Sequence, residues 1–188
     1  MESGSKQKEE AFLIVKELVD TFLGTSGDGY ALNVPADMRI GNVDDDGWCE
    51  WKSTDSSVTS EDIQAIEDGL GFKLPLLLSE YLTYKCLLMT DFSVRLPQTP
   101  CDNPLFEFME YVTLYNEKFK SLDLFPFAYD ENDAGPICLD IRGFHTNESA
   151  VVVYDYTYAG DPEYRGDLAW PDLKELFLHM ISELKQYQ

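Results

Sequence analysis

The chain has 188 residues and a formal net charge of −21, from 35 Asp and Glu against 14 Lys and Arg. That imbalance argues against nucleic-acid phosphate or anionic lipid as a ligand, because both would be repelled, and it favours a basic partner, a cation or plain solubility. With 44% hydrophobic residues, 11 Tyr and 11 Phe, the chain reads as one folded domain with a real core and not as a disordered acidic tail.

The opening MESGSKQKEE is polar, and the apolar run after it is interrupted by Lys16, Glu17 and Asp20. A signal peptide needs an uninterrupted apolar centre, so none is expected, and no segment is apolar enough to span a bilayer. Ala11, Val15, Leu18, Val19 and Phe22 recur at helical spacing, predicting a helix over Lys6–Leu23 that Gly24, Gly27 and Gly29 bring to a stop. Thr25–Ser57 reads as a long irregular stretch, the best candidate for a mobile loop, with Tyr30, Leu32 and Ile40 available to pin parts of it.

Val58–Pro75 (VTSEDIQAIEDGLGFKLP) is the densest signal in the chain. Thr59 is a natural N-cap, Asp62 stands where a capping box wants an acid, and Glu61 and Asp62 suit the positive end of a helix dipole. Ile63, Ile66 and Leu70 share one helical face; Gly71 supplies a left-handed stop, and Pro75 opens a second helix running to about Leu87. Leu77, Leu78, Tyr81, Leu82 and Leu88 are its expected buried residues.

Phe92–Leu96 reads as a short strand and Pro97–Pro104 as a turn-rich link. Leu105–Lys120 reads as helix, although its aromatic and β-branched residues also suit a strand. Strands follow at Phe125–Tyr129, Pro136–Ile141 and Ala150–Tyr156, with a fourth near Tyr164–Trp170. Their short links suit antiparallel neighbours. A closing helix starts at Pro171–Asp172 and buries Leu173, Leu176, Phe177, Met180, Ile181 and Leu184.

Two blocks of residues resemble the SUKH superfamily, which groups bacterial immunity proteins with fungal cell-wall-synthesis regulators. The first has Trp48 and Trp51 upstream of Thr59, Ile63, Glu67, Leu70, Gly71, Leu74 and Pro75. The second has Leu124–Ala128 (LFPFA), Asp133, Gly135, Cys138–Leu139–Asp140 and Val151–Tyr154. Together they cover most of Trp48–Lys185 and leave the first fifty or so residues outside. Where family members carry a glycine-rich turn after the second helix, this chain reads CLLMTDFSVRLP. The resemblance implies an α+β fold, with an antiparallel β-meander packed against N-terminal helices and a C-terminal helix.

Residues able to carry chemistry are sparse. Asn42–Gly47 (NVDDDG) resembles the start of a calcium loop, but the twelfth position is Ser53 where a bidentate Glu is needed, so an acidic turn is the plainer reading. Cys49, Cys86, Cys101 and Cys138 form no C-x-x-C pair and read as reduced thiols. His179 lies beside Glu175 and Glu183 at the spacing of a solvated helix face, and His145 sits in a polar turn. A Cys–His pair meeting in space is left open. Tyr154, Tyr156 and Tyr158 would share one face of a strand, either covering the core or offering a protein-binding surface.

The resemblance implies a non-enzymatic binding protein of the cytoplasm, an immunity protein that neutralises a basic toxin such as a nuclease, without cofactor, metal, nucleic acid or membrane. The expected contact surface is the acidic rim of Asp130, Glu131, Asp133, Asp155, Asp161 and Glu163, with exposed members of the set Tyr156, Tyr158, Trp48 and Trp51. Two other expectations stand beside it: a regulatory scaffold of the cell-wall-regulator type, and a metal-dependent hydrolase built from clustered carboxylates.

Overall fold

A computed structural model of the chain describes residues 2–25, 29–90, 94–143 and 149–186. Among them are helices α1 (Glu2–Thr25), α2 (Ser60–Leu70), α3 (Leu76–Tyr84), α4 (Phe106–Leu114), α5 (Glu117–Ser121) and α6 (Leu173–Gln186). The strands are β1 (Tyr30–Leu32), β2 (Arg39–Ile40), β3 (Trp48–Trp51), β4 (Thr54–Asp55), β5 (Lys85–Cys86), β6 (Val94–Arg95), β7 (Leu124–Asp130), β8 (Pro136–Asp140), β9 (Val151–Val153) and β10 (Asp167–Trp170). Every strand pairing is antiparallel, and the fold is α+β.

The amphipathic helices bury the faces their spacing predicts. Ala11, Val15, Leu18, Val19 and Phe22 of α1 are buried, as are the six apolar positions of α6. Both helices pack against each other, and α1 also packs against α3. At the rim, Lys174 reaches Glu10 at 2.5 Å and Lys185 reaches Glu17 at 2.6 Å. The α1 helix runs through Gly24 to Thr25; Gly27 lies outside the described residues.

The capping box of α2 is complete. The Asp62 amide donates to the Thr59 hydroxyl (3.2 Å), and the Thr59 amide donates to the Asp62 carboxylate (2.9 Å). Gly71 ends the helix at φ +81°, its amide donating to the Glu67 carbonyl. Glu67 also accepts from the Leu74 amide (2.9 Å) and pairs with Lys73 (2.6 Å), so one carboxylate fixes the link into α3. That second helix is shorter than its apolar run predicts. The chain turns extended at Lys85 to pair with β4, and Leu87 exchanges backbone hydrogen bonds with Thr99.

The stretch expected to be a mobile loop is instead a small sheet of order β1-β3-β2. Ala31, Val34, Met38, Cys49 and Trp51 anchor it in the core. The acidic turn before β3 is a hairpin loop. Its Asp44 carboxylate accepts from the Asp46 and Trp48 amides at 3.0 and 2.8 Å. Gly47 takes φ +90°.

The main sheet has the order β10-β9-β8-β7-β6, a meander whose central strands carry apolar residues on both faces. Phe125, Phe127, Ile137, Leu139 and Val151 join the large core with α1, α3 and α6. Leu124, Cys138, Val152 and Tyr154 form a smaller core under Phe119 and Leu122 of the α5 segment. The predicted helix Leu105–Lys120 breaks in two at Tyr115–Asn116, where Asn116 caps α5 by accepting from the Lys118 amide. Phe92 of the predicted strand before it lies outside the described residues; Val94–Arg95 form β6.

Candidate functional site

Four elements meet around an open pocket of about 610 Å³. On α4, Glu107, Glu110, Tyr111 and Leu114 follow helical i, i+3, i+4, i+7 spacing and line one wall. The opposite wall comes from β6 and β7, where Arg95 and Tyr129 sit directly across from one another. Asp133 of the β7–β8 hairpin and Tyr156 close it.

The hairpin is built to hold Asp133 in place. Asp130 ends β7, and its carboxylate turns back to accept from the Asn132 and Ala134 amides at 2.9 and 3.4 Å. Asp133 takes the left-handed conformation at φ +57° and accepts from the Arg95 guanidinium at 3.1 Å. Gly135 follows because no side chain fits there: a Cβ would lie 2.0 Å from the Tyr154 carbonyl oxygen and 3.5 Å from the Tyr156 ring. That close approach lets the Tyr154 amide donate to Pro136 and the Tyr156 amide to Ala134. The hairpin therefore positions the segment that carries Tyr156.

Strand β9 stops at Val153, so Tyr154, Tyr156 and Tyr158 do not share a strand face. Asp155 instead caps a short 3₁₀ turn over Tyr156–Tyr158, accepting from the Thr157 amide at 2.7 Å and from the Thr157 hydroxyl. Those bonds hold the Asp155 carboxyl below its usual range, the side-chain bond contributing most. Tyr154 is sealed in the smaller core, whereas Tyr156 and Tyr158 are 43% and 57% exposed. Tyr156 leans into the pocket; Tyr158 packs on Tyr164, ring centroids 5.1 Å apart. Burial, and then the neighbouring Tyr129 hydroxyl, push the Tyr156 phenol up to about 12. Burial and the nearby Glu107 push Tyr111 up as well. Both stay neutral at physiological pH, able to donate hydrogen bonds and to present aromatic faces.

Of the residues expected at a contact surface, Asp133 and Tyr156 line this pocket, with Asp130 and Glu131 in the same hairpin turn. Glu131, Tyr158, Asp161 and Glu163 are exposed. The carboxylates of Asp130, Asp155 and Asp161 each accept a backbone amide of their own turn, Asp161 from Glu163 at 2.9 Å. They shape loops as much as they supply charge. Trp48 is part-exposed on the small sheet, in a different part of the fold. Trp51 is corrected outright: at 0% exposure it is a core residue and has no surface to offer. Arg95, Glu107, Glu110, Tyr111 and Tyr129 were not anticipated. The spacing of the α4 residues is the signal that pointed to a shared face, while the β6–β7 register has no local signature.

A second cleft, about 490 Å³, lies between α1, the α2–α3 link and the start of α6. Ala11, Ile14, Leu74, Leu76 and Leu77 give it an apolar lining, and Glu10 and Glu67 on its wall are paired with Lys174 and Lys73.

Among the described residues, no three His, Cys, Asp or Glu side chains converge as a metal-binding group. His179 Nε2 lies 3.4 Å from Glu183 on the exposed face of α6; His145 falls outside the described residues. The four cysteines are free, with Cys49, Cys86 and Cys138 buried. Among the described residues no helix is long and apolar enough to cross a membrane. No protein-family model matches the chain, and no curated protein matches it.

Proposed function

We propose that the chain is a non-enzymatic protein-binding module, an immunity protein of the SUKH type that captures a basic toxin domain in the cytoplasm of the producing cell. The observation that carries this reading is the pocket between α4, the β7–β8 hairpin and Tyr156, where carboxylates and tyrosines that are far apart in sequence converge. Tyrosine gives large contact area at low entropic cost, and surrounding acids steer a cationic partner and pair with its Lys and Arg. A toxin that holds nucleic-acid backbone must itself be basic, so an acidic surface mimics the charge of its substrate. A net charge of −21 adds long-range attraction to that local complementarity.

The test is direct. The chain is used as bait in its native cell, and each captured protein is purified and measured against wild type and a Glu110→Lys variant. The reading requires a basic partner whose association slows at least tenfold between low and high salt, with a smaller change in dissociation, and whose binding weakens in the variant. A partner that is acidic, or one bound equally by both proteins, removes it.

A further inference from the structure

The pocket has a composition more specific than acidity. Three tyrosines, Tyr111, Tyr129 and Tyr156, share its wall with three carboxylates, Glu107, Glu110 and Asp133. Arg95 is the guanidinium among them, and it is already engaged with Asp133 at 3.1 Å. Negative charge therefore outweighs positive in the lining. The Glu107 carboxylate accepts from the Gln98 amide at 2.6 Å, which fixes its position. Glu110 is exposed, on the same face of α4.

Tyr111 provides an independent pointer. The residue is only 7% exposed, and its hydroxyl has no hydrogen-bond partner among the described residues. That hydroxyl is nevertheless absent from the sealed polar atoms of the interior, so it opens on the pocket. Held rigidly at the pocket wall with no partner among the described residues, that hydroxyl is free to accept a hydrogen bond from a ligand's N–H.

Aromatic faces attract cations through their quadrupole, and carboxylates add charge-assisted hydrogen bonds. A guanidinium combines a plane that stacks on rings with a fork of donors that suits carboxylates, whereas an ammonium is a compact, strongly hydrated point charge. Arg95 sits in this same lining, so the pocket already accommodates one guanidinium beside its rings and acids. We infer that this pocket binds a second guanidinium, the arginine head of a docking partner, between the tyrosine rings and Glu110. The inference rests on the proposed docking function and names the group that the partner inserts.

Ethylguanidinium chloride serves as the probe, titrated into the full chain against sodium chloride of equal ionic strength and followed by backbone amide NMR. Saturable shifts confined to residues 107–114, 129–133 and 156 are expected, with a dissociation constant on the order of a millimolar. Butylammonium binds at least threefold more weakly. Glu110→Gln and Tyr156→Leu each weaken ethylguanidinium about fivefold, and Tyr111→Phe, which removes only the hydroxyl, about twofold. Glu10→Gln in the other cleft leaves it unchanged. Absence of saturable shifts in wild type overturns the inference, as does equal binding of butylammonium or insensitivity to all three pocket variants. Amide spectra of each variant establish that it is folded before its affinity is compared.

Two further probes identify the source of the guanidinium. A capped Gly-Arg-Gly peptide binding at least as tightly as agmatine assigns it to a protein side chain. Agmatine binding tenfold more tightly assigns it to a free small molecule and overturns the docking form. Probe binding without any basic protein partner sinks the docking function and leaves the pocket chemistry standing. A basic partner that binds wild type while the probe does not bind leaves docking standing and sinks the pocket.

Discussion

The two clefts of this molecule have similar size and differ in how far their acidic charge is paired. Between α1, the α2–α3 link and α6, Glu10 and Glu67 each hold a lysine at salt-bridge contact and Asp172 accepts from the Glu175 amide, so the wall around the apolar floor is close to neutral. Between α4, β6–β7 and Tyr156, three carboxylates face one arginine and three phenols. In a chain with so many acids, carboxylate abundance by itself distinguishes nothing. The informative quantity is the balance of charge in each lining: three carboxylates to one arginine in the tyrosine pocket, and three carboxylates (Glu10, Glu67 and Asp172) to two lysines in the other.

The comparison breaks most sharply at Gly135. An alanine there would drive its Cβ to 2.0 Å from the Tyr154 carbonyl oxygen, and backbone cannot give way as a side-chain tip can. We expect Gly135→Ala to cost about 3 kcal/mol or more in chemical denaturation, the mechanism being overpacking against main chain. Amide shifts should concentrate on the hairpin and residues 154–158 and spare the cleft beside α1. A cost under 1 kcal/mol would mean the hairpin does not position Tyr156 as described.

Leu74→Ala probes the other cleft. Leu74 is 5% exposed and lies on its apolar floor, packed on one side and facing the cleft on the other. The expected loss is about 2 kcal/mol, at the lower end for a leucine truncation because one side already faces the cleft. Ethylguanidinium binding at the tyrosine pocket should not change. If it does, the two clefts are coupled and the contrast between them is not local. Smaller again is Thr59→Ala, which removes the hydroxyl half of the α2 cap and should cost about 1 kcal/mol with no effect on either cleft's ligand preference.

How much of this was legible in the chain differs by region for physical reasons. The α2–α3 segment writes its structure locally: Thr59, Asp62, Gly71 and Pro75 act on backbone groups within four residues, so cap, stop and restart were readable. The faces of α1 and α6 follow from spacing alone. The small sheet was missed because its strands are two to four residues long and too short to establish alternation. Burial of Cys49 and Trp51 at i and i+2 was the faint signal present. The same shortness misled the reading of Trp51, whose place on β3 puts it in the large core. The tyrosine strand failed differently, because Asp155 caps its own turn and so ends the extended chain after Val153. At the site, Asp133 and Tyr156 were named in advance. Tyr111 and Glu110 required knowing that α4 lies over β7, a tertiary fact that no local pattern carries.

Two hydrogen-bonded acids, one in each half of the chain, make the gentlest test. Asp62 is held below its ordinary value by the Thr59 amide first and its hydroxyl second; Asp155 is lowered by the Thr157 hydroxyl first and its amide second. A carboxyl whose folded value is depressed adds stability above its unfolded value, and that stability is lost as pH falls through the folded value. Both contributions should therefore be fully present at neutral pH, begin to fall below about pH 4, and be lost as pH drops through the lower folded values. Asp62→Asn and Asp155→Asn should each flatten that acid limb slightly, since the amide cannot titrate. Tyr156 supplies the opposite sign. Its phenol is raised to about 12, so its contribution is present below the ordinary tyrosine value and is lost as pH climbs toward 12. Tyr156→Phe should lessen the alkaline decline, Tyr111 keeping its own share, while leaving the acid limb of wild type intact. An alkaline limb unchanged in Tyr156→Phe would mean that this ring is not held between Tyr129 and the hairpin, and the wall of the tyrosine pocket would have to be redrawn without it.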